Sequence, residues 1–451
     1  MKSSAHACAP LPLHATGSRL ARAGWCAVPT RLALGACVAI LPCAAGAATS
    51  HVRAGTLVDT EHGRVLKDQL ITIVDGRVSA VAPFTHAPTD GPLLDWSDKQ
   101  VLPGLIDMHT HLADYGTTSN VAEPLLHSQA ALALKGAANA RLTLLAGFTT
   151  VRDAGTYRAF TDVALRDAIA AGQVEGPRMF VAGAYITTPG GGGTVSGFAP
   201  DVQVPASMEA GVVRSAEEAR EKTRYLFQNG ADFIKMIATG AVLTVGTEPG
   251  QPELSFEEMK AACDEAALHG SYCIAHAHGA AGIKSAIRAG ARSIEHASLI
   301  DDEGIALAKA KGVWLDMDIY DGDYIEESGT RQGWDAGYLR KNREVTQLQR
   351  DGFSKALKAG VKLSYGTDAG VYPYGWNARQ FAYMVKYGMT PMQAIQSATI
   401  NAAQLLRASA DVGALSPGHY ADMIAIDGDA TRDVRLLENV QHVMKAGVLV
   451  K

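Results

Sequence analysis

His109 and His111 stand one residue apart in Asp107-Met108-His109-Thr110-His111, at the end of an apolar run that begins at Val101. Side chains alternate faces along a strand, so both imidazoles project the same way from its carboxyl end. Two imidazoles so placed can bind a metal ion; they can equally be solvent-facing histidines on a loop. Four more segments carry residues of the same kind. Lys235 lies within Asp232-Phe233-Ile234-Lys235-Met236, and His276 and His278 close Ile274-Ala275-His276-Ala277-His278. His296 closes Ile294-Glu295-His296, and Asp368 closes Ser364-Tyr365-Gly366-Thr367-Asp368. Singly, each has a plain alternative. A strand-end histidine can be a hydrogen-bonded core residue, Lys235 can snorkel outward and Asp368 can cap the next helix. Together they match the histidine and carboxylate preferences of zinc-type ions. Such an ion lowers the pKa of a bound water to about 7 and polarises a carbonyl. A neighbouring carboxylate, Asp368, is placed to take the water's proton and return it to a leaving amine.

The elements that must position these groups alternate strand and helix. Strands are expected at Val101–Met108, Phe148–Arg152, Arg178–Ala184, Phe233–Ile237, Ser271–Ala277, Ser293–Glu295, Val313–Ile319 and Lys362–Gly366. Helical periodicity falls at 127–146, 159–170, 215–229, 255–269, 279–289, 302–311, 335–359 and 376–387. Eight βα units predict an α/β protein with a (β/α)8 barrel, whose chemistry sits at the carboxyl ends of the strands. A doubly wound open sheet is the other arrangement such alternation allows, but no strand is followed by a dinucleotide glycine fingerprint. Short β-segments from His51 to Val81 and from Ala421 to Val450 predict a small β-sandwich built from both chain ends. The expected divisions are a leader at 1–48, the sandwich at 49–100 and 409–451, and the barrel at 101–408. Thr187-Thr188-Pro189-Gly190-Gly191-Gly192-Gly193-Thr194 opens a long aperiodic stretch, read as a mobile rim of the site.

A net charge of −5, spread along the chain without a basic stripe, excludes a nucleic-acid partner. Arg19, Arg22 and Arg31 precede the apolar run Leu32–Leu41, and Ala45-Gly46-Ala47 fits a signal-peptidase site. That pattern predicts export, to a periplasm or outside the cell, and the apolar run is too short for a stable membrane span. Beyond the leader only Cys263 and Cys273 remain, which argues against a disulfide framework and is read as two buried free thiols.

Pro103–His111, Gly147-Phe148-Thr149-Thr150-Val151-Arg152-Asp153 and Gly413–Asp422, with the strand-end set above, resemble the amidohydrolase superfamily from about residue 52 to the end. Ala275-His276-Ala277-His278-Gly279 and Ile294-Glu295-His296 look most like its imidazolonepropionase-like group, which includes Xaa-Pro dipeptidases and ochratoxinase-type amidases. The resemblance implies a binuclear centre of two divalent ions, most simply Zn2+, with a metal-bridging hydroxide. His109, His111 and Asp368 match ligands of the more buried ion, and His276 and His296 those of the second. Lys235 matches the lysine that carries a CO2-derived carbamate and bridges both, which argues against the mononuclear deaminase branch. His278 is assigned to substrate contact. Tyr320, Tyr324, Tyr372, Arg152 and Asp153 could line the pocket, although the preferred reading of Arg152 is a structural ion pair with Asp153 or a neighbour. The implied reaction is cleavage of a C–N amide in a dipeptide, an N-acyl amino acid or an ochratoxin-like N-acyl phenylalanine. A cyclic-amide hydrolase, or a metal-free relative retained for binding, is the alternative. Such relatives also form homo-oligomers.

Overall fold

Alternation of buried and part-exposed residues marks the first strands, as a sheet with one covered face requires. In a computed structural model, residues 48–114, 116, 120 and 122–451 are described. The expected leader lies outside them apart from Ala48. Strands β1 (Thr49–Asp59), β2 (Arg64–Val74), β3 (Arg77–Pro83) and β4 (Leu93–Pro103) come first. The middle of the chain contributes β5 (Leu105–Thr110), β6 (Phe148–Asp153), β7 (Arg178–Val181), β8 (Tyr185–Ile186), β9 (Ile234–Ile237), β10 (Cys273–Gly279), β11 (Ser293–Leu299), β12 (Trp314–Asp316) and β13 (Leu363–Ser364). β14 (Met423–Ile426), β15 (His442–Lys445) and β16 (Val448–Leu449) close the chain.

The two ends build one β-unit, but as a single sheet in the order β16-β15-β14-β4-β1-β2-β3 rather than as two separate layers. β14 pairs with one side of β4 and β1 with the other, so hydrogen bonds continue through all seven strands. Two of its hairpins turn in two residues. Asp75 and Gly76 both adopt positive φ (49° and 76°), as do Ala446 and Gly447 (48° and 75°), the geometry that matches the twist of a two-residue hairpin.

The middle strands pair in parallel, in a six-stranded sheet β13-β12-β11-β10-β9-β8 and a three-stranded sheet β5-β6-β7. The ladder breaks after β7, which ends at Val181 within the expected third strand Arg178–Ala184, and β8 begins just beyond that stretch. Backbone hydrogen bonds cross both gaps: Asp232 N donates to Val181 O at 2.8 Å, Met108 N to Tyr365 O at 2.8 Å and His111 N to Ala369 O at 2.9 Å. Helices follow the strands, among them Gln129–Leu145, Ala216–Gln228, Phe256–Leu268, Ala280–Ala289, Asp302–Lys311 and Ala336–Ala359. The result is a TIM-barrel-like α/β fold with side chains packed inside. Among the described residues no helix is long and apolar enough to cross a membrane.

Three expectations change. Val101–Met108 is not one strand: β4 ends at Pro103, which lacks an N–H, and β5 starts at Leu105. Gly104 between them packs so closely on Thr149 that any Cβ would collide with it. Asp321–Gln332 forms a helix that the sequence reading omitted. Cys263 and Cys273 are not free thiols but a disulfide, with Cα atoms 5.2 Å apart. The helix Phe256–Leu268 turns Cys263 toward the first residue of β10, within normal bridging distance.

Candidate metal centre

Each strand delivers its group where the sequence pattern places it. β5 carries His109 and, just beyond its end, His111; β9 carries Lys235, β10 His276 and His278, and β11 His296. Asp368 follows β13 in a left-handed conformation (φ 53°), as does His296 within β11 (φ 67°). Such backbone is unfavourable for residues with a Cβ and persists where surrounding structure enforces it, often at functional sites.

The groups converge in two sets, linked by a third made of His296, Asp318 and Asp368. Ligand atoms of His109, His111 and Asp368 lie within 4.8 Å of one another, as do those of His276, His278 and His296. Asp368 Oδ1 is 3.2 Å from His111 Nε2 and 3.6 Å from His109 Nε2, and Lys235 Nζ is 3.2 Å from that same nitrogen of His109. The far side of three of these imidazoles is held by a hydrogen bond. His111 Nδ1 donates to Gly155 O at 2.7 Å, and His296 Nδ1 pairs with Asp318 Oδ2 at 2.8 Å. His278 Nδ1 meets Ser298 Oγ at 2.8 Å, and His109 Nδ1 lies 3.3 Å from Glu295 Oε2. Fixing one ring nitrogen leaves the other to face the centre, as imidazole ligands of metals require.

Electrostatics fit the same use. Burial lowers His109 to about 4 and holds His276 and His278 well below the ordinary imidazole value, so these rings are neutral donors. Burial also lowers Lys235. His111 departs from its neighbours: burial opposes its charge, but the hydrogen bond to Asp368 outweighs this and raises it to about 9. Burial resists ionisation of Asp368 too, yet the facing imidazoles keep it well below the usual carboxylate value. Neutral imidazoles, an ionised carboxylate and a buried amine within reach of each other form a donor set suited to divalent ions.

Beneath the site lies a charged floor. Arg152, with no exposed surface, donates to Met108 O, Ser293 Oγ, Glu295 Oε2 and Asp316 Oδ2 at 2.6–3.1 Å. The ion-pair reading of Arg152 is therefore the one realised, with Glu295 and Asp316 in place of Asp153, and the residue is absent from the cavity wall. Tyr320 also stands back from the wall, packed against Tyr372 and Tyr383 with its hydroxyl accepting from Arg379 Nη1 at 3.2 Å. His278 does face the cavity. That cavity, of about 200 Å³, is open above the histidines and is walled by the glycine run 192–193 and residues 241–245 among others.

Asp318, Glu295 and Gln349 were given no role by the sequence reading. Asp318 is 1% exposed, and although burial opposes its charge, His296 keeps its pKa at about 2. Gln349 donates to the other oxygen of Asp318 at 2.8 Å and to His296 O at 3.2 Å. The one available signal was the alternation Asp316-Met317-Asp318, which puts two carboxylates on one face at the end of β12.

A TIM-barrel-like fold with histidines, a lysine and an aspartate gathered at its strand ends defines a class of hydrolases, and the comparisons agree. The chain belongs to the amidohydrolase family, whose model matches residues 100–450. It is 31% identical over 430 residues to ochratoxinase of Aspergillus niger, covering 89% of this chain and 86% of that one. Imidazolonepropionase of Nocardia farcinica is 26% identical over 384 residues, with 80% and 86% covered. A solved Xaa-Pro dipeptidase with methionine bound in its active site superposes with a TM-score of 0.84 at 35% identity, covering 90% of this chain and all of that one. The chain is accordingly a hydrolase.

Proposed function

We propose that this hydrolase cleaves a C–N amide bond of a small molecule: a dipeptide, an N-acyl amino acid or an N-acyl phenylalanine of the ochratoxin kind. The proposed centre holds two divalent ions, zinc in the simplest case. His109, His111 and Asp368 would hold one and His276 and His296 the other, with a carboxylated Lys235 as a further ligand. The observation that carries this reading is the approach of Lys235 Nζ to His109 Nε2, at 3.2 Å, amid imidazoles that burial keeps neutral. Bound divalent ions supply a water ionised near neutral pH and a polarised carbonyl.

The rest is done by the chain. Burial favours the uncharged amine of Lys235, the form whose lone pair adds to CO2. A new N–C bond forms, one proton leaves the nitrogen, and an anionic carbamate results. Asp368, kept ionised by His109 and His111, takes a proton from the attacking water and passes it to the leaving nitrogen. His278, whose Nδ1 is occupied by Ser298, turns its other nitrogen toward the substrate. Export fits the same picture, since the Cys263–Cys273 disulfide suits an oxidising compartment.

Metal analysis and a substrate library test the proposal together. Protein purified without chelator should carry about two ions per chain. With added Zn2+ it should hydrolyse dipeptides or N-acyl amino acids in preference to cyclic ureides. Less than about one ion per chain would reject the binuclear centre, and turnover of ring substrates alone would reject the acyclic amide.

A further inference from the structure

Lys341 lies on the helix Ala336–Ala359 and is only 3% exposed, yet it faces no carboxylate at hydrogen-bonding distance. Its ammonium donates to three backbone carbonyls: Ala241 O at 2.9 Å, Thr244 O at 2.6 Å and Thr247 O at 3.1 Å. An ammonium has three protons, and this one gives all three to a single loop. Burial pulls Lys341 down to about 8, which still leaves it charged at neutral pH.

The loop so held is part of the cavity. Residues 241–245 line it, as do the apolar side chains of Ile325, Tyr338 and Val345. The same loop fastens the glycine run. Thr244 Oγ1 donates to Gly192 O at 3.1 Å, and Ser196 Oγ donates to Val245 O at 2.8 Å. A segment with no regular structure of its own is thus anchored through one buried cation, and a second segment is anchored through the first.

We propose that Lys341 is a positioning residue for substrate binding: its ammonium fixes residues 241–247 as the apolar wall against which an apolar side chain of the substrate lies. The effect on substrate rests on the amide-hydrolase reading; the effect on the loop does not. Without the ammonium, Thr247 O loses its donor, and Ala241 O and Thr244 O keep only the longer contacts from the Thr247 hydroxyl, at 3.2 and 3.4 Å, so the loop must rearrange to reach water or other partners.

The test uses the full-length, metal-loaded protein and its Lys341→Met variant, with hydrogen–deuterium exchange and kinetics read in parallel. Exchange in residues 240–251 should accelerate at least about tenfold, while the strands bearing His109 and His276 keep wild-type protection and metal content. KM for an N-acyl amino acid with a large apolar side chain should rise about tenfold, with kcat within about twofold of wild type. Propylammonium added to Lys341→Ala should restore both loop protection and KM by refilling the carbonyl cage. Wild-type exchange and KM in folded Lys341→Met would overturn the proposal. So would a uniform rise in exchange with loss of metal and no rescue, because that marks a purely structural lysine. If the wild type cleaves no amide, the hydrolase reading fails, and the exchange and rescue arms still decide the role of Lys341.

Discussion

Asp318 offers the sharpest test of how the centre is held together. Its Oδ2 pairs with His296 Nδ1 at 2.8 Å and its Oδ1 accepts from Gln349 at 2.8 Å, both away from solvent. Hydrogen bonds to an ionised group contribute about 1.5–3 kcal/mol. At about 1.4 kcal/mol per factor of ten, removing the carboxylate should weaken metal binding through His296 by roughly 10- to 150-fold. That range agrees with the 10- to 100-fold typical of groups that orient a ligand imidazole. Two substitutions should split it. Asp318→Asn keeps one accepting oxygen, but it cannot satisfy both His296 and Gln349, and it loses the charge. It should cost about tenfold, the lower end of the range. Asp318→Ala frees the imidazole to rotate and should cost about a hundredfold. Chelator competition on the zinc-loaded protein measures both, with circular dichroism to check that each variant folds. An Asp318→Ala affinity within about twofold of wild type would refute the orienting role.

Other expectations follow from the same geometry. Lys235→Ala should reduce metal content from about two ions per chain to about one and abolish turnover, as read by elemental analysis alongside the activity assay. Full activity in that variant would remove the carbamate from the mechanism. Arg152→Met leaves Glu295 and Asp316 buried without their cation, and breaking such a pair costs about 3–5 kcal/mol. Urea denaturation should show a loss of that size, and one below about 1 kcal/mol would mean the floor tolerates protonated carboxylates. Cys263→Ser opens a short disulfide loop spanning 10 positions and should cost about 2–3 kcal/mol. Titrating the denatured wild-type protein with a thiol reagent should detect neither Cys263 nor Cys273 until a reductant is added.

What the sequence revealed, and what it withheld, follows from how far each property reaches along the chain. Strand-end chemistry is local: an apolar run that stops at a histidine or aspartate needs only alternation to assign a direction, so His109, His276, His296 and Asp368 were legible. Helices with strong caps were too, such as Phe256–Leu268, with its Ser255/Glu258 capping box. The helix Asp321–Gln332 was hidden by Gly322, Ser328 and Gly329, which weaken helical propensity and gain their place by packing. Val101–Met108 read as one strand because hydrophobicity alone runs through Pro103-Gly104, whereas the break is imposed by contact with Thr149. Arg152 and Asp318 depend on partners from other strands, which no spacing rule encodes. The disulfide was missed for the same reason. Cysteine count argues about frameworks, whereas one bridge depends on a helix face meeting a strand.

The terminal sheet has a consequence for how the chain reaches this state. β4 leads through Gly104 directly into the strand bearing His109, and its free edge is covered by β14, with Leu102 opposite Ile424. Thr60 likewise donates to Gly413 O, 353 positions later. Contacts of such separation form late, because the loop they close is entropically costly. Until Met423–Ile426 pairs with it, the strand that leads to His109 and His111 has one open edge. The lead-in to the amino end of the strand that bears His109 is therefore flanked on both sides only when β1 and β14, from opposite ends of the chain, are both in place.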